Sequence, residues 1–255
     1  MSQGKVLIVL SDADSFSVEK ADGNIKEEET GFFMTELATP LESILDAGYD
    51  VEFASPNGQT PNIDPLSKSL LAYMGNYFTK KKDEQMIEKM RIESNLYAPR
   101  PFREVTDAQL DSFSGIFIPG GHAPLTDLGA DPDLGRILLH FHKQRKPTAV
   151  VCHGPYALLS TQVAPGSTGF AYKGYKITSW SDQEEGLIET MKGGRIEKVE
   201  SALRDAGADM QTGTAKKMGG ITVDREVVSG ANPFAVKGLG TQFVQMLNSG
   251  VEAKN

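Results

Sequence analysis

Six short apolar runs, each closed by a turn signal, constrain this chain more than any other feature. They are KVLIVL (5–10), DVEFAS (50–55), GIFIPGG (115–121), TAVVC (148–152), YKITSW (175–180) and REVVSG (225–230). Runs this continuous mark strands covered on both faces, which is the condition of parallel strands. Helical patterns lie between them. TPLESILDAGYD reads as a helix with Thr39 as N-cap, Pro40 in the first helical position, Glu42 closing a capping box and Gly48 as the stop. DPDLGRILLHFHKQRKP sets Leu134, Ile137, Leu138 and Phe141 at helical spacing, and IEKVESALRDAGAD and NPFAVKGLGTQFVQMLNSG are two further helices. Strands alternating with helices predict an α/β fold with a doubly wound, mostly parallel sheet sandwiched by helices.

The 255 residues read as one domain, 1–255, with a long cap-like insertion at about 56–104 between the second and third core strands. That insertion carries Tyr73, Tyr77, Phe78 and the Lys80–Lys82 run, and reads either as a solvated connection or as a cap over a pocket or dimer surface. With 39% hydrophobic and 24% charged residues the chain can build a core. A net charge of -8 lacks the basic footprint of a nucleic-acid binder and disfavours anionic membranes. No apolar run approaches the ~20 residues of a spanning helix, and the start, MSQGKVLIVLSDADS, does not read as a secretory signal. The single cysteine forms no internal disulfide and fits a reducing, cytoplasmic setting; structural zinc would want more cysteines.

That cysteine, Cys152, follows Val150 and Val151 at a strand end and precedes His153, Gly154 and Pro155. A thiol at a strand-to-helix turn sits near free backbone N–H groups and a positive helix end, so its pKa is expected below the free value of about 8.5. The alternative is a buried cysteine acting as a small hydrophobe. His153 needs a carboxylate to orient it, and Asp182, Glu184 and Glu185 follow the YKITSW run. Gly120 and Gly121 in FIPGGH can bring backbone N–H groups close to an oxyanion. Glu36 stands among Phe32, Phe33, Met34 and Leu37. It is either on the polar side of a short helical turn or held against apolar neighbours with a raised pKa, fit to shuttle a proton. His122 is read as a pocket residue, and His140 and His142 as helix-surface residues.

AVVCHGP, FIPGGHAP, TGFFMTELATP and VVSGANPFA stand in the order and spacing of the ThiJ/PfpI (DJ-one) superfamily. Over roughly residues 5–247 the chain most resembles its glutathione-independent glyoxalase and heat-shock chaperone branch. The resemblance implies a flavodoxin-like sandwich, usually a homodimer, acting on a small aldehyde without cofactor. It also implies Cys152 as nucleophile with His153 beside it, Glu36 as the acid near the thiol, and Glu185 as third triad member by spacing. Gly121 and the backbone after Cys152 would form an oxyanion hole, with Gly120 and His122 beside it. The family often has GGHG where this chain has Ala123 and Pro124 after the histidine. The two-histidine, one-carboxylate metal site that some relatives carry in the cap is not carried over, because no histidine precedes His122. The implied activity converts 2-oxoaldehydes such as methylglyoxal to hydroxy acids such as lactate. A holdase using the Tyr73–Phe78 region, a cysteine amidase or peptidase, a deglycase and a thiol redox sensor are the alternatives.

Overall fold

The computed structural model describes residues 2–250. In chain order the elements are β1 (Lys5–Val9), β2 (Ser15–Glu19), β3 (Ile25–Glu29), α1 (Met34–Asp46), β4 (Asp50–Ser55), α2 (Tyr77–Glu93), β5 (Arg100–Pro101), α3 (Asp107–Ser112) and β6 (Phe113–Ile118). They continue with α4 (Pro124–Asp127), α5 (Pro132–Lys143), β7 (Thr148–Val151), β8 (Lys176–Ile177), α6 (Asp182–Lys192), α7 (Val199–Ala206), β9 (Asp209–Met210), α8 (Thr214–Lys217), β10 (Ile221–Asp224), β11 (Val227–Gly230) and α9 (Val236–Ser249). The main sheet has seven strands in the order β10-β11-β7-β6-β1-β4-β5. All neighbours pair in parallel except β10, which runs antiparallel to β11. Chain order reverses between β1 and β6, the position where open α/β sheets place their ligands.

Both faces of this sheet are buried, as the apolar runs require. Along β1, Val6 and Ile8 pack with α1 and α9 on one face, while Leu7 and Val9 pack with α3, α5 and α7 on the other. α1 and α9 cross closely at Gly240, where a Cβ would meet Ser43 Oγ at 2.9 Å and the Pro40 backbone at 3.0 Å.

Four expectations change. First, α1 starts at Met34 and carries Pro40 inside it, so Thr39 and Pro40 do not open the helix and Glu42 closes no capping box. The Phe33 N–H donates to the Gly120 carbonyl at 2.9 Å, and the Phe33 carbonyl already accepts from Glu36 and Leu37. The buried face of Met34, Leu37, Ala38, Leu41 and Ile44 outweighs the one backbone bond that proline deletes. Glu42 ion-pairs instead with Lys82 of α2, at 2.6 Å. Second, YKITSW is not a strand of the main sheet: only β8 forms, and it pairs with β9 in a sheet of two. The free side of β11 is closed by β10, its sequence neighbour across a tight hairpin, so the Thr178 N–H bonds to Ser229 Oγ instead of a ladder. Third, β2 and β3 form a hairpin that apolar runs could not reveal, although Asp22-Gly23 marks its turn. Fourth, His140 and His142 are both partly buried: His142 Nδ1 lies 2.8 Å from the buried Glu226, with Tyr175 on the same carboxylate.

The segment 56–104 holds 3₁₀ turns, α2 and the edge strand β5. Its Tyr73 is buried, while Tyr77 and Phe78 are exposed.

Phe243 anchors α9 against the sheet, fully buried with its ring 6.5 Å from that of Phe117. Phe243→Ala is expected to cost about 3–5 kcal/mol. Urea denaturation checks it, and a loss under about 1 kcal/mol would show that the α9 face is loosely packed.

Candidate active site

The site grows from the end of β7. The ladder with β11 runs one residue past the strand, the Cys152 N–H donating to the Gly230 carbonyl at 3.0 Å. Cys152 then turns into the left-handed region at φ +60°, which a non-glycine residue adopts only under constraint. Its carbonyl is held by the Trp180 N–H at 2.9 Å, and a 3₁₀ turn, Gly154–Gln162, leads the chain away. The thiol therefore stands off the sheet at the carboxyl ends of β6 and β7.

Two glycines make room for it. At Gly120 a Cβ would lie 2.6 Å from both Cys152 Cβ and Glu36 Oε2, so a side chain there would drive thiol and carboxyl apart. Gly121 takes φ +100°, and a Cβ there would fall 2.0 Å from the Gly31 carbonyl. The backbone N–H groups of Gly121 and His153 reach toward the thiol. The Gly120 N–H is taken by Glu36 Oε2 at 3.1 Å and is not free for an oxyanion.

Glu36 is fully buried on the first turn of α1, inside the helix and not on its polar side. Its carboxyl lies against the Cys152 thiol, and Oε1 has no hydrogen-bond partner among the described residues. Burial pushes Glu36 up to about 8, against the opposing pull of the thiol and the Gly120 N–H. Burial, and then the Glu36 carboxyl beside it, also push the Cys152 thiol well above its ordinary value. The lowered thiol pKa expected from the turn is thus not met. The backbone donors are present, but desolvation and a neighbouring carboxylate outweigh them. Thiol and carboxyl form one proton-sharing pair that rests protonated at neutral pH.

His153 lies on the other side. Its Nδ1 is 3.3 Å from Cys152 Sγ and its Nε2 is 2.7 Å from Glu185 Oε2. Burial and the adjacent His122 hold the imidazole below its ordinary pKa, with Glu185 acting in the opposite sense. Burial disfavours the charge on Glu185, yet hydrogen bonds from His122 and His153 overcome it and hold that carboxyl at about 2. The network assigns His153 as neutral, with Nε2–H on Glu185 and a bare Nδ1 facing the thiol.

Of the three acids after YKITSW, Glu185 reaches His153. Glu184 closes the capping box of α6 with Ser181, and Asp182 accepts from the N–H and hydroxyl of Ser201. His122 Nε2 lies 3.1 Å from the second oxygen of Glu185, its ring stacked on Phe16 at 4.5 Å and tilted against His153 at 4.2 Å.

The thiol, Glu36, His122 and His153 open on a cavity of about 120 Å³ whose remaining walls are Phe33, Asp64, Leu66, Gly121, Trp180, Ile188 and Pro233. Asp64 and Leu66 come from the insertion. Sequence reading does not find Asp64, Leu66, Trp180, Ile188 or the Phe16 stack; the signal that could have found the hairpin carrying Phe16 is the unread Asp22-Gly23 at its turn. The donors of His122, His153 and Glu185 all lie within 4.8 Å of one another, close enough to hold a metal ion. As placed, each Glu185 oxygen already meets an imidazole nitrogen.

The Glu36 pKa makes a stability prediction. Its folded value of about 8 exceeds the ordinary 4.5, so the unfolded chain releases this proton first as pH rises. Stability from this group is fully present below about 4.5 and is lost as pH climbs through about 8, by on the order of a few kcal/mol. Glu36→Gln should remove that slope. Denaturation of both proteins across this range checks it, and parallel stability curves would refute a neutral buried carboxyl.

Residues 28–191 match the family described as ThiJ/PfpI family-like. The glutathione-independent glyoxalase hsp3101 of Schizosaccharomyces pombe is 26% identical over 254 residues, covering 97% of this chain and 98% of that protein. The protein/nucleic acid deglycase HchA of Staphylococcus aureus is 27% identical over 258 residues, covering 96% of this chain and 80% of the relative. The crystal structure of glyoxalase III from Candida albicans shares the fold with a TM-score of 0.69 at 21% identity, over 99% of each chain. A match spanning more than half of the chain, on a flavodoxin-like sheet with its lone thiol at the strand-end turn, makes this chain a member of the ThiJ/PfpI family.

Proposed function

We propose that this chain is a glutathione-independent glyoxalase that converts a small 2-oxoaldehyde such as methylglyoxal, with water, to the hydroxy acid lactate. The observation that carries the reading is the buried Cys152–Glu36 pair in a cavity of about 120 Å³, far below the ~300–1,000 Å³ of a drug-sized pocket. The likeness to hsp3101 supports it.

In this reading the reacting form is the fraction of enzyme in which Glu36, raised to about 8, has already given up its proton. That carboxylate takes the thiol proton as Cys152 adds to the aldehyde carbon C1, and returns it to the aldehyde oxygen to give a hemithioacetal. The carboxylate so regenerated removes the C1 hydrogen and delivers it to C2 through an enediol. The hydroxyl proton moves from O1 to O2 by way of the bare Nδ1 of His153. The backbone N–H groups of Gly121 and His153 steady the oxygen that carries developing charge. Water then cleaves the thioester, freeing lactate and the thiol. Glu185 keeps His153 oriented and in the tautomer this requires.

A second reading, release of carbonyl adducts from larger molecules, is favoured by a wider cleft of about 300 Å³ outside the cavity, which shares Asp64, Leu66, His122 and Ile188 with it. It uses the same thiol and carboxyl. We infer a cytoplasmic homodimer: the lone free cysteine suits a reducing compartment, and the insertion exposes Leu71, Met74 and Phe78. Among the described residues no helix is long and apolar enough to cross a membrane.

The test follows methylglyoxal loss and lactate formation without glutathione. Cys152→Ala and Glu36→Gln should each lower kcat/KM by roughly a thousandfold or more, as expected when a nucleophile or its proton carrier is removed. Wild-type turnover no faster than Cys152→Ala would overturn the reading. Activity retained in Glu36→Gln would move the proton transfer to His153.

A further inference from the structure

The geometry points to His122 as a positioning residue that occupies one oxygen of Glu185 and thereby fixes His153 with Nε2–H on the other oxygen and Nδ1 bare toward Cys152. This goes beyond a substrate contact, and its kinetic readout rests on the glyoxalase reading above.

Three observations carry it. The Glu185 carboxylate is 1% exposed, and its two oxygens are divided between two imidazoles, His122 Nε2 at 3.1 Å and His153 Nε2 at 2.7 Å. A buried carboxylate with both oxygens occupied cannot rotate away from either ring without leaving an acceptor unpaired. The His122 ring stacks on Phe16 with centroids 4.5 Å apart and meets the His153 ring at a 39° tilt with centroids 4.2 Å apart, so His122 touches His153 directly as well as through the carboxylate. His122 also faces both the inner cavity and the outer cleft, so the element that fixes His153 stands where substrate must pass.

Sharing the carboxylate has an electrostatic consequence. Burial is the main reason His153 stays neutral; sharing one negative charge between two rings adds to it, because His153 receives less of the Glu185 charge than it would alone. Among the other ionisable groups around these rings, only Asp64 favours the charge on His153, and it does so less than Glu185. Cys152 and Glu36 rest neutral on the thiol side, and Asp64 accepts from Thr30 and from the Leu66 N–H. On the cleft side Glu28 is paired with both Lys26 and Lys192, while Glu27 and Glu29 line the outer wall of the hairpin.

The experiment compares wild type, His122→Phe and His122→Gln. Phenylalanine keeps a ring between Phe16 and His153 but removes the N–H on Glu185; glutamine keeps an N–H donor without the ring. kcat and KM for methylglyoxal, and the rate of Cys152 alkylation by iodoacetamide, are measured over roughly pH 5 to 9, which spans both limbs of an acid–base profile. In His122→Phe the whole charge of Glu185 falls on His153, which then holds its proton to higher pH. The acid limb should move up by about half a unit or more in both readouts, with kcat at neutral pH down about tenfold and KM within about twofold. His122→Gln should return the limb to near its wild-type position.

A raised KM with the limb unmoved would make His122 a substrate contact and overturn the inference. Equal losses in both variants with unmoved limbs would reduce it to packing, which also overturns it. Wild-type protein supplies a readout that needs no substitution: ¹⁵N-histidine NMR should show His122 and His153 both as Nε2–H tautomers, and an Nδ1–H tautomer at His122 would refute the arrangement. If wild type turns over no methylglyoxal, the glyoxalase reading fails, and alkylation and NMR still decide the role of His122.

Discussion

The removal of the Cys152–Glu36 pair from water is the constraint on which the site depends. Two groups that would ordinarily lose protons well apart in pH are held in contact, where neither ionises cheaply. Everything nearby serves that contact. The left-handed Cys152 lifts the thiol off β7, the missing side chain at Gly120 lets thiol and carboxyl meet, and α1 begins early enough to carry Glu36 on its first turn. A carboxyl raised to about 8 gives and takes a proton near neutral pH, which a solvated glutamate does poorly.

Around this pair the charge is arranged in the opposite sense. Glu185 stays ionised at about 2 because two imidazoles hydrogen-bond to it, and His153 stays neutral because burial, and then His122 beside it, disfavour its charged form. Two glutamates in one site thus hold opposite protonation states, set by what surrounds them: an apolar wall and a thiol for one, two N–H donors for the other. The elements that carry these groups are far apart in the chain and meet at the carboxyl edge of the sheet, next to the place where strand order reverses.

The insertion and the β2–β3 hairpin close the site from outside. Asp64 and Leu66 from the first and Phe16 from the second surround the thiol and His122. They make the cavity small and line it mostly with apolar groups, and a low-polarity site strengthens every electrostatic effect inside it.

Cys152, His153, Glu36 and Gly121 were legible in the sequence because each sits at a punctuated junction: a strand end, a Gly-Gly turn, or a glutamate among apolar neighbours. Glu185 was one of three acids until α6 turned it inward, its neighbours being engaged by Ser181 and Ser201. The sense of the thiol's pKa shift is not legible there, because it depends on burial and on the Glu36 carboxyl that the fold brings beside it, which no local pattern carries. YKITSW was misplaced for a similar reason: its apolar pattern suits a strand, but a local hairpin had already taken the edge it would need. The order of apolar runs by itself determined the doubly wound sheet, since strands buried on both faces leave few ways to pack. Tertiary structure alone decided which side chains share a proton, because hydrogen bonds and desolvation act through space over a few ångströms, between residues separated by scores of positions in the chain.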